Sequence, residues 1–208
     1  MFNKKSITLL QKKAYLCKKQ ICKIGSLAWQ EGLFPAYNGN ISVKINEEYI
    51  LITASGTAKG KLNLADISIM DNAGLLIRGQ KLSTESILHL NIYKYTNAHA
   101  ILHTHPTKLL ALDVKNNLNI LANLSIYEAQ MWSGFMDIVP KFEPGSMELA
   151  NAVSNGAQTL TSKNKKTLEL GALWLSNHGL VAWGEDLTAA LNLTEELEHL
   201  AEIALLAH

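Results

Sequence analysis

Two pairs of short apolar runs, each closed by a polar turn, constrain this chain more than any other feature. Ile41 to Ile45 and Tyr49 to Thr53 flank Asn46-Glu47-Glu48, and Ile67 to Met70 and Leu75 to Arg78 flank Asp71-Asn72-Ala73-Gly74. β-Branched and aromatic runs bounded by Asn, Asp and Gly are the pattern of antiparallel hairpins. Helical patterns surround them. From residue 6 to about 31, Leu9, Leu10, Ala14, Cys17, Ile21, Ile24, Leu27 and Ala28 fall near one face, and Gly32 and Pro35 end the helix. Thr84 is expected to cap a helix to about Thr96, Pro106 to enter the first turn of a short helix to Val114, and Ser146 to cap a helix to about Thr161. Residues 118 to 142 show no clear period beyond a strand expected at Phe135 to Val139, and Lys163 to Lys166 reads as a solvated loop. The last helix begins near Leu187, and its Ala190, Leu191, Leu193, Leu197, Leu200, Ala201 and Ala204 form a core or subunit-contact stripe. Hairpins first and helices interleaved later predict an α/β sandwich with a largely antiparallel sheet.

The 208 residues suit one domain spanning 1–208, and 48% hydrophobic residues suffice for a buried core. Nineteen basic and 18 acidic side chains nearly cancel, which gives no electrostatic argument for nucleic acid or acidic membranes. Cys17 and Cys22 lie on different faces of the first helix and are poor disulfide partners. Lys4 and Lys5 precede too short an apolar stretch for a signal peptide, and no run approaches a membrane span. Together these predict a cytoplasmic protein with no membrane attachment.

Chemistry concentrates in Ala100-Ile-Leu-His103-Thr-His105-Pro106. Alternation along a strand points His103 and His105 the same way, so two imidazoles can grip one cation from one side. His178 sits in an expected turn between Ala172 to Leu175 and Leu180 to Trp183. Three His ligands with one open position are the arrangement of a catalytic zinc rather than a structural one. A bare His-x-His is more often an ordinary surface or core pair; the neighbouring segments reverse that judgement.

Those segments are Asn38-Gly39-Asn40-Ile41-Ser42 at the start of the first strand, Thr53-Ala54-Ser55-Gly56-Thr57 at the end of the second, and Ser83-Thr84 at a helix start. A hairpin sets the first two side by side, where amides and hydroxyls can cradle an anion, and a helix N-terminus favours phosphate. Each alone is ordinary turn chemistry. Beside a metal site they suggest a phosphorylated small molecule. Glu85 follows in the first turn, either interacting with the helix dipole or facing the metal as ligand or base. His89, one turn on, reads more simply as a solvent-facing or a buried, hydrogen-bonded histidine. His99, His199 and His208 have no supporting pattern.

Gly39-Asn40-Ile-Ser42, Thr53-Ala-Ser55-Gly56, Leu82-Ser-Thr-Glu85, His103-Thr-His105-Pro and Ser176-Asn-His178-Gly179 stand in the order and spacing of the class II aldolase/adducin family. Val139-Pro140 and Pro144-Gly-Ser-x-Glu-Leu149 resemble its aldolase members. The resemblance covers about residue 8 to 205 and implies an α/β/α sandwich with a central, largely antiparallel sheet. It implies that His103, His105 and His178 hold one Zn²⁺ per subunit, with Glu85 as fourth ligand and acid/base. It assigns Asn40, Ser55, Gly56, Ser83 and Thr84 to a phosphate pocket. It further implies a homotetramer with sites at subunit interfaces. The epimerase members carry Asp where this chain has Glu85. Some aldolase members add a C-terminal tail with a tyrosine, whereas this chain ends at His208 soon after its last helix.

By resemblance, the expected activity is that of a lyase: zinc-dependent retro-aldol cleavage of an L-fuculose-1-phosphate-like ketose 1-phosphate into dihydroxyacetone phosphate and an aldehyde. Loss of the C4 hydroxyl proton breaks the C3–C4 bond, and Glu85 manages the proton at C3. Dehydration of methylthioribulose 1-phosphate is the alternative within the family, and a non-catalytic adducin-like interaction protein the alternative outside enzymes. Tyr127 and Glu128 bear on the choice: a tyrosine here serves the aldolase, a glutamate the dehydratase. If both lie on a strand they face opposite sides and only one reaches the metal. Tyr127 is favoured, because Pro144 to Leu149 resembles the aldolases more.

Overall fold

The computed structural model describes residues 4–207, with side chains from residue 9 onward. Helix α1 (Lys4–Gln30) leads into the hairpins β1 (Asn40–Lys44) with β2 (Tyr49–Thr53) and β3 (Ile67–Asp71) with β4 (Leu76–Arg78). Then come α2 (Ser86–Tyr95), β5 (Ala100–Thr104), α3 (Thr107–Val114), α4 (Tyr127–Trp132) and β6 (Met136–Val139). Helix α5 (Met147–Lys163), strands β7 (Gly171–Leu175) and β8 (Gly179–Gly184), and α6 (Leu187–Ala207) complete the order.

One eight-stranded sheet runs β4-β3-β2-β1-β5-β8-β7-β6. Every neighbouring pair is antiparallel except β6 with β7. The expected α/β/α sandwich is therefore present. On β5, Ala100 and Leu102 join one core with Ile24 of α1, Leu109 of α3, Ala129 of α4 and Leu197 of α6. Ile101, one position out of phase, joins the other with Leu88 and Ile92 of α2 and Val153 of α5. Pleating thus aims His103, in phase with Ile101, at the α2 face.

Several local expectations change. Thr84 does not cap α2; Glu85 occupies the N-cap position without a side-chain cap bond. Its carboxylate is committed across the sheet instead of to its own helix. Pro106 is the N-cap of α3 rather than part of its first turn. Tyr127 and Glu128 lie on a short helix, not a strand, so strand alternation cannot choose between them. Leu9 and Leu27, expected on the buried face of α1, are exposed. Lys163 closes α5 and residues 165–168 form a 3-10 turn rather than a loop. Ser146 does cap α5, accepting from the Leu149 amide at 3.1 Å. Cys17 and Cys22 are both free and half-buried. No helix among the described residues is long and apolar enough to cross a membrane.

Candidate metal centre

The centre forms where β1, β5 and β8 run side by side. Asn40 opposes His103 in the β1–β5 register, and β8 lies on the far side of β5. Two glycines allow this close approach. A Cβ on Gly39 would stand 2.3 Å from the His103 carbonyl oxygen, and one on Gly179 2.3 Å from that of Thr104. Gly39 also has φ +73, a left-handed conformation open to glycine at no steric cost. Between β7 and β8, Asn177 takes φ 57, and its amide donates to Asp113 of α3. Asn is among the few residues that tolerate this conformation. Asp113 also accepts from the Trp174 indole at 2.9 Å, which ties the His178 turn to α3.

His103, His105 and His178 each offer a ring nitrogen within 4.8 Å of the others. Glu85 joins them: its Oε2 is 3.2 Å from His103 Nε2 and its Oε1 is 3.3 Å from His178 Nε2. His103 is fully buried and donates Nδ1–H to the Leu180 carbonyl at 3.0 Å. That bond fixes the tautomer of the neutral ring and leaves Nε2 as a lone pair aimed at Glu85 and His178. His103 Nε2 and His178 Nε2 stand 3.4 Å apart.

Burial alone would raise the Glu85 carboxyl, but His103, His178 and the Asn40 hydrogen bond hold it below the usual carboxylate range. Burial alone would lower His103, and Glu85 outweighs it and raises the imidazole. Burial, and then the charge on His103, push His105 down to about 3 and His178 down to about 4. His105 and His178 are thus held neutral, and His103 and Glu85 favour each other's charged forms. Glu85 Oε1 and His178 Nδ1 are buried without hydrogen-bond partners. Three imidazole lone pairs and a carboxylate on one point are a donor set for a zinc-like cation, whose binding would displace a proton from His103.

A cavity of about 260 Å³ opens above the cluster. Asn40, Ser55, Gly56, Ser83, Thr84, Glu85, His105 and His178 line it, together with Lys59 and Pro144. The expected phosphate residues are thus brought together beside the expected metal ligands. A larger groove of about 550 Å³ lies between α1 and the hairpins, but its lining is apolar around Leu9, Leu10, Ile45 and Ile77 and holds none of these groups.

Three features of the site lie outside what the sequence predicts. Asn40 lines the cavity, and its side-chain amide also binds Glu85 at 2.8 Å and His89. Tyr127, 82% exposed, and Glu128, also exposed, lie outside the cavity lining. Lys59 escaped sequence reasoning. It is buried, donates to the carbonyls of Tyr37 at 2.8 Å and Thr57 at 2.6 Å, and has no carboxylate partner among the described residues. Burial pushes its ammonium down to about 8 while Glu85 opposes the shift. Its only sequence signal is a lysine placed three residues after Gly56.

Residues 19–205 match the model of the class II aldolase and adducin N-terminal domain. A 3-oxo-tetronate 4-phosphate decarboxylase of Haemophilus influenzae is 35% identical over 190 residues, covering 89% of this chain and 85% of that protein. A methylthioribulose-1-phosphate dehydratase of Bacillus cereus is 34% identical over 176 residues, covering 80% and 79%. The crystal structure of L-fuculose-1-phosphate aldolase from Thermus thermophilus superposes with a TM-score of 0.73 at 25% identity, covering 94% of each chain.

Proposed function

The chain belongs to the class II aldolase and adducin family, and from that premise we propose that it is a metal-dependent lyase that breaks a carbon–carbon bond in a small phosphorylated ketose. The observation that carries this reading is the convergence of three imidazoles and Glu85 beneath a cavity rimmed by phosphate-type donors. His103, His105 and His178 would hold the ion, with Glu85 as a fourth ligand. Zinc suits three neutral imidazoles with an open position, and when bound it supplies Lewis acidity toward the carbonyl and hydroxyl oxygens of the substrate.

The chain's own groups do the rest. Ser55, Ser83, Thr84 and the Gly56 amide receive the phosphate, and Lys59 adds the one positive charge on the lining. That end of the substrate is held while the bond beyond the carbonyl is cut. Glu85 takes the C4 hydroxyl proton as the C3–C4 bond breaks and returns a proton to C3 of the fragment left behind, which makes dihydroxyacetone phosphate. The decarboxylase and aldolase names among the relatives describe the same cut with different leaving fragments, carbon dioxide or an aldehyde. We commit to the aldehyde. Tyr127 would serve the site of an adjacent subunit in a homotetramer, and its 82% exposure supports that placement.

Dehydration of methylthioribulose 1-phosphate is the second reading, favoured by the Bacillus relative and by Glu128 exposed beside Tyr127. The test is incubation of the zinc-loaded protein with dihydroxyacetone phosphate and short aldehydes, with 3-oxo-tetronate 4-phosphate, and with methylthioribulose 1-phosphate. Condensation to a ketose 1-phosphate, lost in Tyr127→Phe, is expected. Release of carbon dioxide or of water instead moves the assignment to the corresponding relative. No turnover of any phosphorylated ketose at full metal content overturns the enzyme reading.

A further inference from the structure

A buried chain of hydrogen bonds runs away from the metal cluster into the α2 face, and its direction follows from one charge. An ionised Glu85 carboxylate can only accept. Asn40 lies 2.8 Å from Oε2 and must therefore present Nδ2, which turns its Oδ1 toward His89 Nε2. An amide oxygen only accepts, so His89 Nε2 carries the proton. Nδ1 of the neutral ring is then an acceptor, filled by Ser42 Oγ at 2.7 Å. With the Ser42 proton spent, Tyr93 donates to Ser42 Oγ at 2.8 Å. Every donor lies on the far side of its acceptor, from Tyr93 through Ser42, His89 and Asn40 to Glu85. His89 is fully buried at the centre of this chain.

Glu85 is left asymmetric. Oε2 is anchored by Asn40, whereas Oε1 has no hydrogen-bond partner and faces His178 Nε2 at 3.3 Å. We propose that His89 is a positioning residue: neutral, with its proton on Nε2, it locks the Asn40 amide so that Glu85 keeps one oxygen fixed and the other free for the proton it transfers. The inference rests on the reading of Glu85 as the acid/base. It also gives Asn40 a duty other than phosphate binding. Without the lock the Asn40 amide can rotate and set its carbonyl against the Glu85 carboxylate, which costs an anchor and adds repulsion.

The test compares His89→Gln with His89→Met in the zinc-loaded, full-length protein. Gln can donate to Asn40 and accept from Ser42; Met fills the space and can do neither. His89→Gln should keep kcat within about threefold, and His89→Met should lose about 10- to 100-fold in kcat with KM and metal content unchanged. Nitrogen-15 NMR of histidine-labelled wild type should show one ring protonated at Nε2 and bare at Nδ1, and His89→Gln should lack that signal. Should His89→Met not fold, Ser42→Ala, which removes a single oxygen, should mix the two tautomers and lower kcat without moving KM. A His89 ring protonated at Nδ1, full kcat in folded His89→Met, or equal losses in Gln and Met that track thermal stability would overturn the proposal. A wild type without turnover would instead sink the acid/base reading, and the NMR signature would still test the chain of hydrogen bonds.

Discussion

Asn40 and His103 are register partners, Cα opposite Cα on adjacent antiparallel strands. The group that anchors Glu85 and the most buried imidazole of the cluster are thus held by the sheet ladder, not by loops. Removing one imidazole should then empty the centre without dissolving the fold. His105→Ala and His178→Ala are expected to lose bound metal and turnover while circular dichroism stays unchanged. His103→Ala should in addition lose roughly 2–4 kcal/mol, because it opens a cavity and leaves the Leu180 carbonyl without its donor. Metal analysis and denaturant melts check both parts.

Acidity should set how strongly metal stabilises the protein. His105 and His178 have depressed values of about 3 and about 4. Between those values and the ordinary histidine value near 6.5, the unfolded chain binds protons that the folded rings refuse, so metal-free stability falls as pH drops through that window. His103 has the opposite sign: its raised value stabilises the metal-free fold at low pH and is lost as pH rises through it. Metal must displace that proton. The melting-temperature difference between zinc-loaded and chelated protein should therefore widen from pH 6 to 8 in calorimetry. A difference that narrows would count against the ligand set.

Lys59 gives a separate pH signature. Its ammonium, down to about 8, is charged below that pH and would attract a phosphate dianion; above it the attraction would fade. KM for a phosphorylated ketose should rise above pH 8 in wild type. Lys59→Met should raise KM about 10- to 100-fold at pH 7 and remove that pH dependence. Stability carries the matching sign. Between about 8 and 10.5 the unfolded lysine holds a proton the folded one releases, so wild type gains on Lys59→Met as pH climbs through that range.

Glu198 of α6 is a buried carboxylate that accepts from the amides of Lys108 and Leu109 at 2.9 and 3.0 Å. It supplies from afar the cap that α3 lacks locally, just after the His103-to-His105 segment. Glu198→Ala should cost about 2–4 kcal/mol by chemical denaturation, since two amides lose a charged acceptor and a void opens. Metal affinity should weaken with it, measurable by competition with a chelator dye.

What was legible in the sequence was what local pattern encodes. Alternating runs between Asn, Asp and Gly turns located β1 to β4, and the spacing around His103, His105 and His178 located the cluster. Less legible was whatever depends on distant partners. Helix α4 has only six residues, too few to show a period, and is fixed by burying Ala129 under α6. Thr84 looks like a better cap than Glu85, but Glu85 is drawn to imidazoles 18 residues or more away in sequence. Asn40 meets Glu85 and His89 across separations of 45 and 49 residues, and nothing near Gly39-Asn40 announces either.

The order of strands has a consequence for the chain as it is made. His103 and His178 are 75 residues apart but become neighbours when β8 adds to β5. A chain emerging from the ribosome displays its His-x-His long before the third imidazole exists, and two rings on an unfinished sheet are a weak chelate open to any passing ion. Tight capture would begin only once β8 docks, which would defer metal selection to the late stage of folding in which the geometry can discriminate.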